Sequence, residues 1–271
     1  MNSVCKYLLC LLLFSLSIIP LRGGVVNHDK LFEAYLVNDM KVWGDELNVY
    51  VKKQNLSSLD KFEICNYLYG YVAAILDEAD KNTVKYWLDI FEKFLDELEK
   101  EGKYIAEVHV YRSSIYAYKA KKFSSQMLSA ATKCFKELDL AFQADENCAI
   151  AHGLKGNMEF YLPAIMGGNK KNAIKYFTKA VELMPKSQPI LYRWNWCATR
   201  LCLAQAYEKT NQKDKAIQIC NETLKVYPNF KYMKNTYLPS LKKSYTLYIC
   251  VFPPICNTLL MFFSCKYIIY M

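Results

Sequence analysis

Arginine is scarce in this 271-residue chain, occurring at positions 22, 112, 193 and 200 and nowhere else. A nucleic-acid surface is built from clustered basic residues with interleaved aromatics. Four scattered arginines speak against one, although the formal net charge is +9. That charge is carried by lysines spread along helical faces, often near Glu or Asp, as on solvated surfaces. Histidine is scarcer still: His28, His109 and His152 lie far apart and form no ligand set. No Cys-x-x-Cys occurs, and Cys148 and His152, four apart, have no second ligand pair, so neither a zinc nor a redox motif is present. Gly167-Gly168-Asn169 lacks the Gly-Lys-Ser/Thr that would make it a phosphate loop. No Ser or Cys stands in a nucleophile motif, and acidic runs such as 96–101 read as helix surface. The chain therefore reads as a non-enzyme, with no catalytic residue, metal or cofactor expected.

The two ends differ from the middle. Lys6 precedes a 13-residue, mostly apolar run, Tyr7 to Ile19, followed by Pro20 and Arg22-Gly23-Gly24. That length suits a signal-peptide core and is short for a membrane span. Residues 1–24 are accordingly expected to be a signal peptide, cleaved or retained as an anchor, which makes the protein exported and periplasmic. Residues 244–271 contain one charged side chain, Lys266, and the pair Pro253-Pro254. Three readings stay open for this tail: a membrane anchor, a buried cap, or an altered reading frame. Of 11 cysteines, two lie in the leader and three in the tail. The other six, Cys65, Cys134, Cys148, Cys197, Cys202 and Cys220, sit among apolar residues at helical spacing. An oxidising compartment permits disulfides among them, with no connectivity readable.

From about residue 29 to 243 apolar residues recur at three and four, with no sustained alternation of period two. The expectation is an all-α fold of about nine helices, with short connections that make successive helices antiparallel neighbours. The first helix is read from Asp29 to about Lys53. Ser58 is expected to cap the second, and Asn82 the third, which Gly102 ends. Residues 25–102 form an N-terminal group, either divergent repeats or a cap, and 103–243 the repeats proper.

The sharpest signal is Ala173-x3-Phe177-x2-Ala180-x4-Pro185, which recurs as Ala216-x3-Cys220-x2-Thr223-x4-Pro228. Leu203-Ala204-x2-Tyr207 precedes the second copy, and Cys134-x3-Leu138-x2-Ala141 is a weaker earlier one. Small residues let two helices approach, Phe177 and Tyr207 fill the gaps, and proline stops the second helix. Over about residues 105–240 this pattern resembles the tetratricopeptide-repeat family, which implies helical hairpins stacked as an α-solenoid. The spacing of 43 residues from Pro185 to Pro228 exceeds the family's 34. Extra residues therefore lie in the connections or first helices, and Glu159 to Gly168, with Pro163 inside, is one irregular place. That segment with its Gly-Gly-Asn turn also resembles, more loosely, helical periplasmic components associated with TRAP-type solute transporters.

The family resemblance implies binding on a concave face built from the first helix of each pair. It places Leu201, Gln205, Glu208 and Lys209 there from one repeat and Asn157, Phe160 and Tyr161 from the preceding one. Core packing is the competing reading for the aromatics, including Trp194 and Trp196. The expected function is a non-enzymatic exported adaptor that holds a protein or peptide partner in its groove, with no nucleic acid bound and membrane association through leader or tail. The alternative is a ligand-binding component of an envelope solute-transport system.

Overall fold

The computed structural model describes residues 24–123 and 127–242. The expected tail, and the leader apart from Gly24, lie outside the described residues. Within them there are eleven α-helices and no strand. The expected first helix is broken in two, α1 (His28–Val37) and α2 (Met40–Tyr50). The break is local chemistry. Asn38 closes α1 in the left-handed region at φ 61°, and the Asp39 carboxylate caps α2 by accepting from Val42 N.

Helix α3 (Ser58–Ile75) starts one residue earlier than read. Its cap is Ser57, whose hydroxyl accepts from Asp60 N while the Asp60 carboxylate accepts from Ser57 N. Helix α4 (Lys81–Lys100) is likewise capped by Asp80, which accepts from the Asn82 and Thr83 amides, rather than by Asn82. In both cases a carboxylate satisfies helix amides and favours the positive end of the dipole. Gly102, at φ +65°, follows α4 as expected. Lys103 N reaches back to Leu98 O and closes the helix end.

The repeats follow as three hairpins: α5 (Ile105–Lys122) with α6 (Met127–Ala144), α7 (Ala149–Tyr161) with α8 (Lys170–Ser187), and α9 (Arg193–Lys209) with α10 (Lys213–Val226). A π-helical turn (Met233–Tyr237) and the short α11 (Leu238–Lys242) end the described chain. The second helices bury equivalent residues: Cys134, Leu138 and Ala141 on α6, Ala173, Phe177 and Ala180 on α8, Ala216, Cys220 and Thr223 on α10. Pro228 stands just past α10, whereas Pro185 lies inside α8, which runs on to Ser187. A proline so near a helix end breaks only one late backbone bond, so the helix survives it.

First helices stack on first helices: α5 on α3, α7 on α5, α9 on α7. The array is not a one-dimensional stack in which each unit meets only its neighbours. Helix α1 reaches the last repeat, with Phe32 edge-on to Tyr227 at 4.9 Å and Tyr35 against Phe230 at 5.6 Å. Helix α3 meets α9 directly, and an added Cβ at Gly70 would lie 2.8 Å from the Trp194 ring and 2.9 Å from that of Trp43. The N-terminal helices therefore cover the inner side of the last repeat and share one core with it. Trp43, Phe62, Tyr67, Phe91, Tyr111 and Phe177 are fully buried in that core.

Candidate partner-binding face

The inner face is set by α3, α5, α7 and α9, and its character follows from what α9 carries. Most of α9, from Trp194 to Ala206, is buried, because α1, α7, α8 and α10 all pack against it. Trp194 sits among Tyr35, Trp43 and Tyr69, with ring centroids 5.9, 5.5 and 5.8 Å away. Aromatic packing of this density is a core and not an open groove. The groove expected along α9 is covered by α1 and α3.

A narrow cleft of about 30 Å³ remains where α3, α7 and α9 meet. Tyr69, Gly70 and Ala73 line it from α3, Gly153 and Asn157 from α7, and Asn195, Ala198 and Cys202 from α9. The walls are mainly apolar, with a few amides and a thiol among them. The Cys202 thiol lies 3.5 Å from Asn157 Oδ1, joining α7 to α9. Asn195 is 4% exposed and its side-chain oxygen has no hydrogen-bond partner. Buried amide oxygens are nearly always paired, so this one is an unused acceptor beside the cleft.

The residues assigned from the repeat resemblance separate into groups. Asn157 lines the cleft and is half-buried. Phe160 turns into its own hairpin, packing on Phe177 with the Lys170 ammonium 6.0 Å from its ring, and Tyr161 stands edge-on to it. Leu201 is fully enclosed and Gln205 is 7% exposed. Neither reaches a partner while α1 and α3 are in place. The Glu208 carboxylate accepts from the Tyr237 hydroxyl at 3.1 Å, and Lys209 is exposed at the end of α9. The cleft residues Gly70, Asn195 and Ala198 carried no signal in the sequence, since only the contact between α3 and α9, more than a hundred residues apart, makes them neighbours.

Burial shifts several ionisable groups near the inner face toward their neutral forms. Burial pushes the Glu107 carboxyl up from its ordinary value. Burial also raises the thiols, Cys134 to about 11 and Cys220 to about 12. All six described cysteines are buried and none is in a disulfide. His152 is shifted down mainly by burial, and its Nε2 donates to Glu146 O at 2.9 Å. Among the described residues no three of His, Cys, Asp and Glu gather as a metal site, and no helix is long and apolar enough to cross a membrane.

Residues 202–229, covering the C-terminal half of α9 and all of α10, match a tetratricopeptide-repeat family profile, and residues 167–187, covering the turn into α8 and that helix, match another. The chain therefore carries tetratricopeptide repeats, a class of helical hairpin that serves protein–protein interaction. Neither match concerns the transporter components that the Gly-Gly-Asn segment resembles. No curated protein matches the chain.

Proposed function

We propose that the chain is an exported, non-enzymatic adaptor that takes a protein or peptide segment at the mouth of the cleft between α3, α7 and α9. The observation that carries this reading is a cleft where α3 meets α7 and α9, the first helices of the two hairpins in which the repeat matches fall, beside an unpaired Asn195 oxygen. A water needs roughly 10–15 Å³ of such space, so about 30 Å³ admits one small apolar side chain of a partner. The rest of the segment would lie across the rim, where Asn157 is half-exposed. Export rests on the positively charged, apolar leader. A solute-transport role calls for a pocket of roughly 300–1,000 Å³, and this cleft does not favour it.

The test is affinity capture with the tagged full chain from envelope extract, run beside Asn157→Trp, which plugs the cleft mouth from a half-exposed position. A protein captured by the unaltered chain and lost with the variant supports the proposal. Capture by both places the interaction elsewhere, and enrichment of no protein removes the adaptor reading.

A further inference from the structure

Between α7 and α8 the fold presents two adjacent apolar side chains to solvent. Ile165 is 94% exposed and Met166 beside it 45%. Both belong to the one-turn helix (Ala164–Met166) between α7 and α8. The turn is fixed by its own backbone. Met166 N donates to Pro163 O at 2.9 Å, Gly168 N to Pro163 O at 3.1 Å and Asn169 N to Glu159 O at 2.8 Å. Gly167 takes φ +90°, and a Cβ on Gly168 would lie 1.8 Å from Leu162 O. Two glycines thus close the turn tightly and leave the apolar tip pointing outward.

Directly after the tip, α8 carries Lys170, Lys171, Lys175 and Lys179, all exposed, against one acidic residue, Glu182. Lys171, Lys175 and Lys179 recur every fourth position, so they share one face over roughly 12 Å. Among the described residues these lysines meet no carboxylate, whereas Lys41, Lys61, Lys85, Lys119 and Lys121 nearer the N-terminus are all in ion pairs. The imbalance extends along the chain from α6 onward. Residues 127–242 hold 17 Lys and Arg against 9 Asp and Glu, while residues 24–123 hold 14 against 17.

We infer that the Ile165–Met166 tip and the lysine row of α8 form a docking surface for an anionic lipid bilayer. A projecting apolar tip enters a deformable acyl boundary without needing a matching pocket, and neighbouring lysines add attraction to anionic headgroups. An acidic protein would instead be met by the planar fork of arginine, which binds carboxylates in pairs. All three arginines of the repeats are already engaged, Arg112 with Asp96 and Glu99, Arg193 with Asp29 and Arg200 with Glu222. Neither the tip nor the lysine row lines the cleft, so the repeats would sit on the membrane with the cleft still available.

The full chain carrying Ile165→Trp tests this, read as the difference from the unaltered chain with its four tryptophans, so that the added indole reports on the tip whatever the leader and tail do. Vesicles of brominated phosphatidylcholine, with and without phosphatidylglycerol, serve as probes. The expected result is a blue shift and quenching of the added indole only with the anionic vesicles. Adding Lys171→Gln, Lys175→Gln and Lys179→Gln should weaken the partitioning roughly a hundredfold. Since both sites are exposed, circular dichroism should be unchanged. Absence of quenching while the protein sediments with vesicles overturns the inference, as does equal quenching by neutral vesicles. A response of the indole to an oligoglutamate peptide but to no vesicle would overturn it in favour of an acidic protein.

Discussion

Asn66 and Tyr111 tie the inner helices together: the Tyr111 hydroxyl donates to Asn66 Oδ1 at 3.2 Å, and Asn66 Nδ2 donates onward to Leu191 O at 3.2 Å. Both side chains are buried, and the relay joins α3, α5 and the segment leading into α9. A buried polar relay is stabilising only while each member is satisfied. Asn66→Ala strands a phenol and a carbonyl in the core, and should lower stability by about 2–4 kcal/mol. Tyr111→Phe strands only the amide oxygen and should cost about 1–3 kcal/mol. The double variant should be less destabilised than the sum, because the shared bond is counted twice. Urea unfolding of all four proteins measures the coupling, and strict additivity would mean that the relay does not act as a unit.

Gly70 is where α3 passes between two tryptophans. Alanine is intrinsically better in a helix than glycine by about 1 kcal/mol, so Gly70→Ala would stabilise an isolated α3. In the folded protein its Cβ would lie under 3 Å from both Trp43 and Trp194. Overpacking of this kind costs about 1–3 kcal/mol, so a net loss of stability is expected in thermal unfolding, with altered tryptophan fluorescence. A gain in stability would show that α3 and α9 do not approach this closely.

The repeat residues were legible because their period is local: Ala173, Phe177 and Ala180 announce a buried stripe on α8 by spacing alone. Caps were read one or two residues off, because Ser57 and Asp80 stand beside other good capping residues and backbone geometry chooses among them. The break at Asn38 was hidden because the apolar period continues through it. What spacing could not show is that Phe32, Tyr35 and Trp43 meet Tyr227, Phe230 and Trp194. Those pairings lie more than 150 residues apart, and they turn the expected open groove into a narrow cleft. Asn157 lines that cleft, while Leu201 is enclosed in the core for the same reason.

Arg200 ties the last hairpin together through two nitrogens of its planar fork. Its Nε donates to Thr223 Oγ1 at 2.7 Å, its Nη2 to Glu222 Oε2 at 2.7 Å and to Ile219 O at 3.2 Å, and its guanidinium lies 4.8 Å from the Trp196 ring. Lysine keeps the charge but not the planar fork, so Arg200→Lys is not conservative here. The loss should be about 1–3 kcal/mol, the worth of hydrogen bonds to a charged group. Thr223→Val, which removes one acceptor at nearly constant volume, should cost about 1 kcal/mol. Urea midpoints for the two single variants and the double distinguish a fork from a simple charge pair. Equal stability of the wild-type chain and Arg200→Lys would reduce the site to the latter.

The buried thiols give the protein an alkaline limit. Cys134, beside Ser113, is raised by burial to about 11 and Cys220 to about 12, whereas an unfolded thiol titrates near pH 8.5. The unfolded chain therefore releases these protons first. Below about pH 8.5 both states hold them and the contribution to stability is fully present. As pH rises from about 8.5 to 11 the unfolded state gains thiolate that the folded state does not, and stability falls. Buried tyrosines such as Tyr35, also raised by desolvation, extend the fall to higher pH. The cysteine part is isolated by comparing the wild-type chain with Cys134→Ala and Cys220→Ala. Each variant is less stable at pH 7, yet loses less between pH 8 and 10 in urea titrations. At pH 8 iodoacetamide should modify these two cysteines in the native protein far more slowly than in urea. Fast native alkylation at either position would show that its thiol is not enclosed.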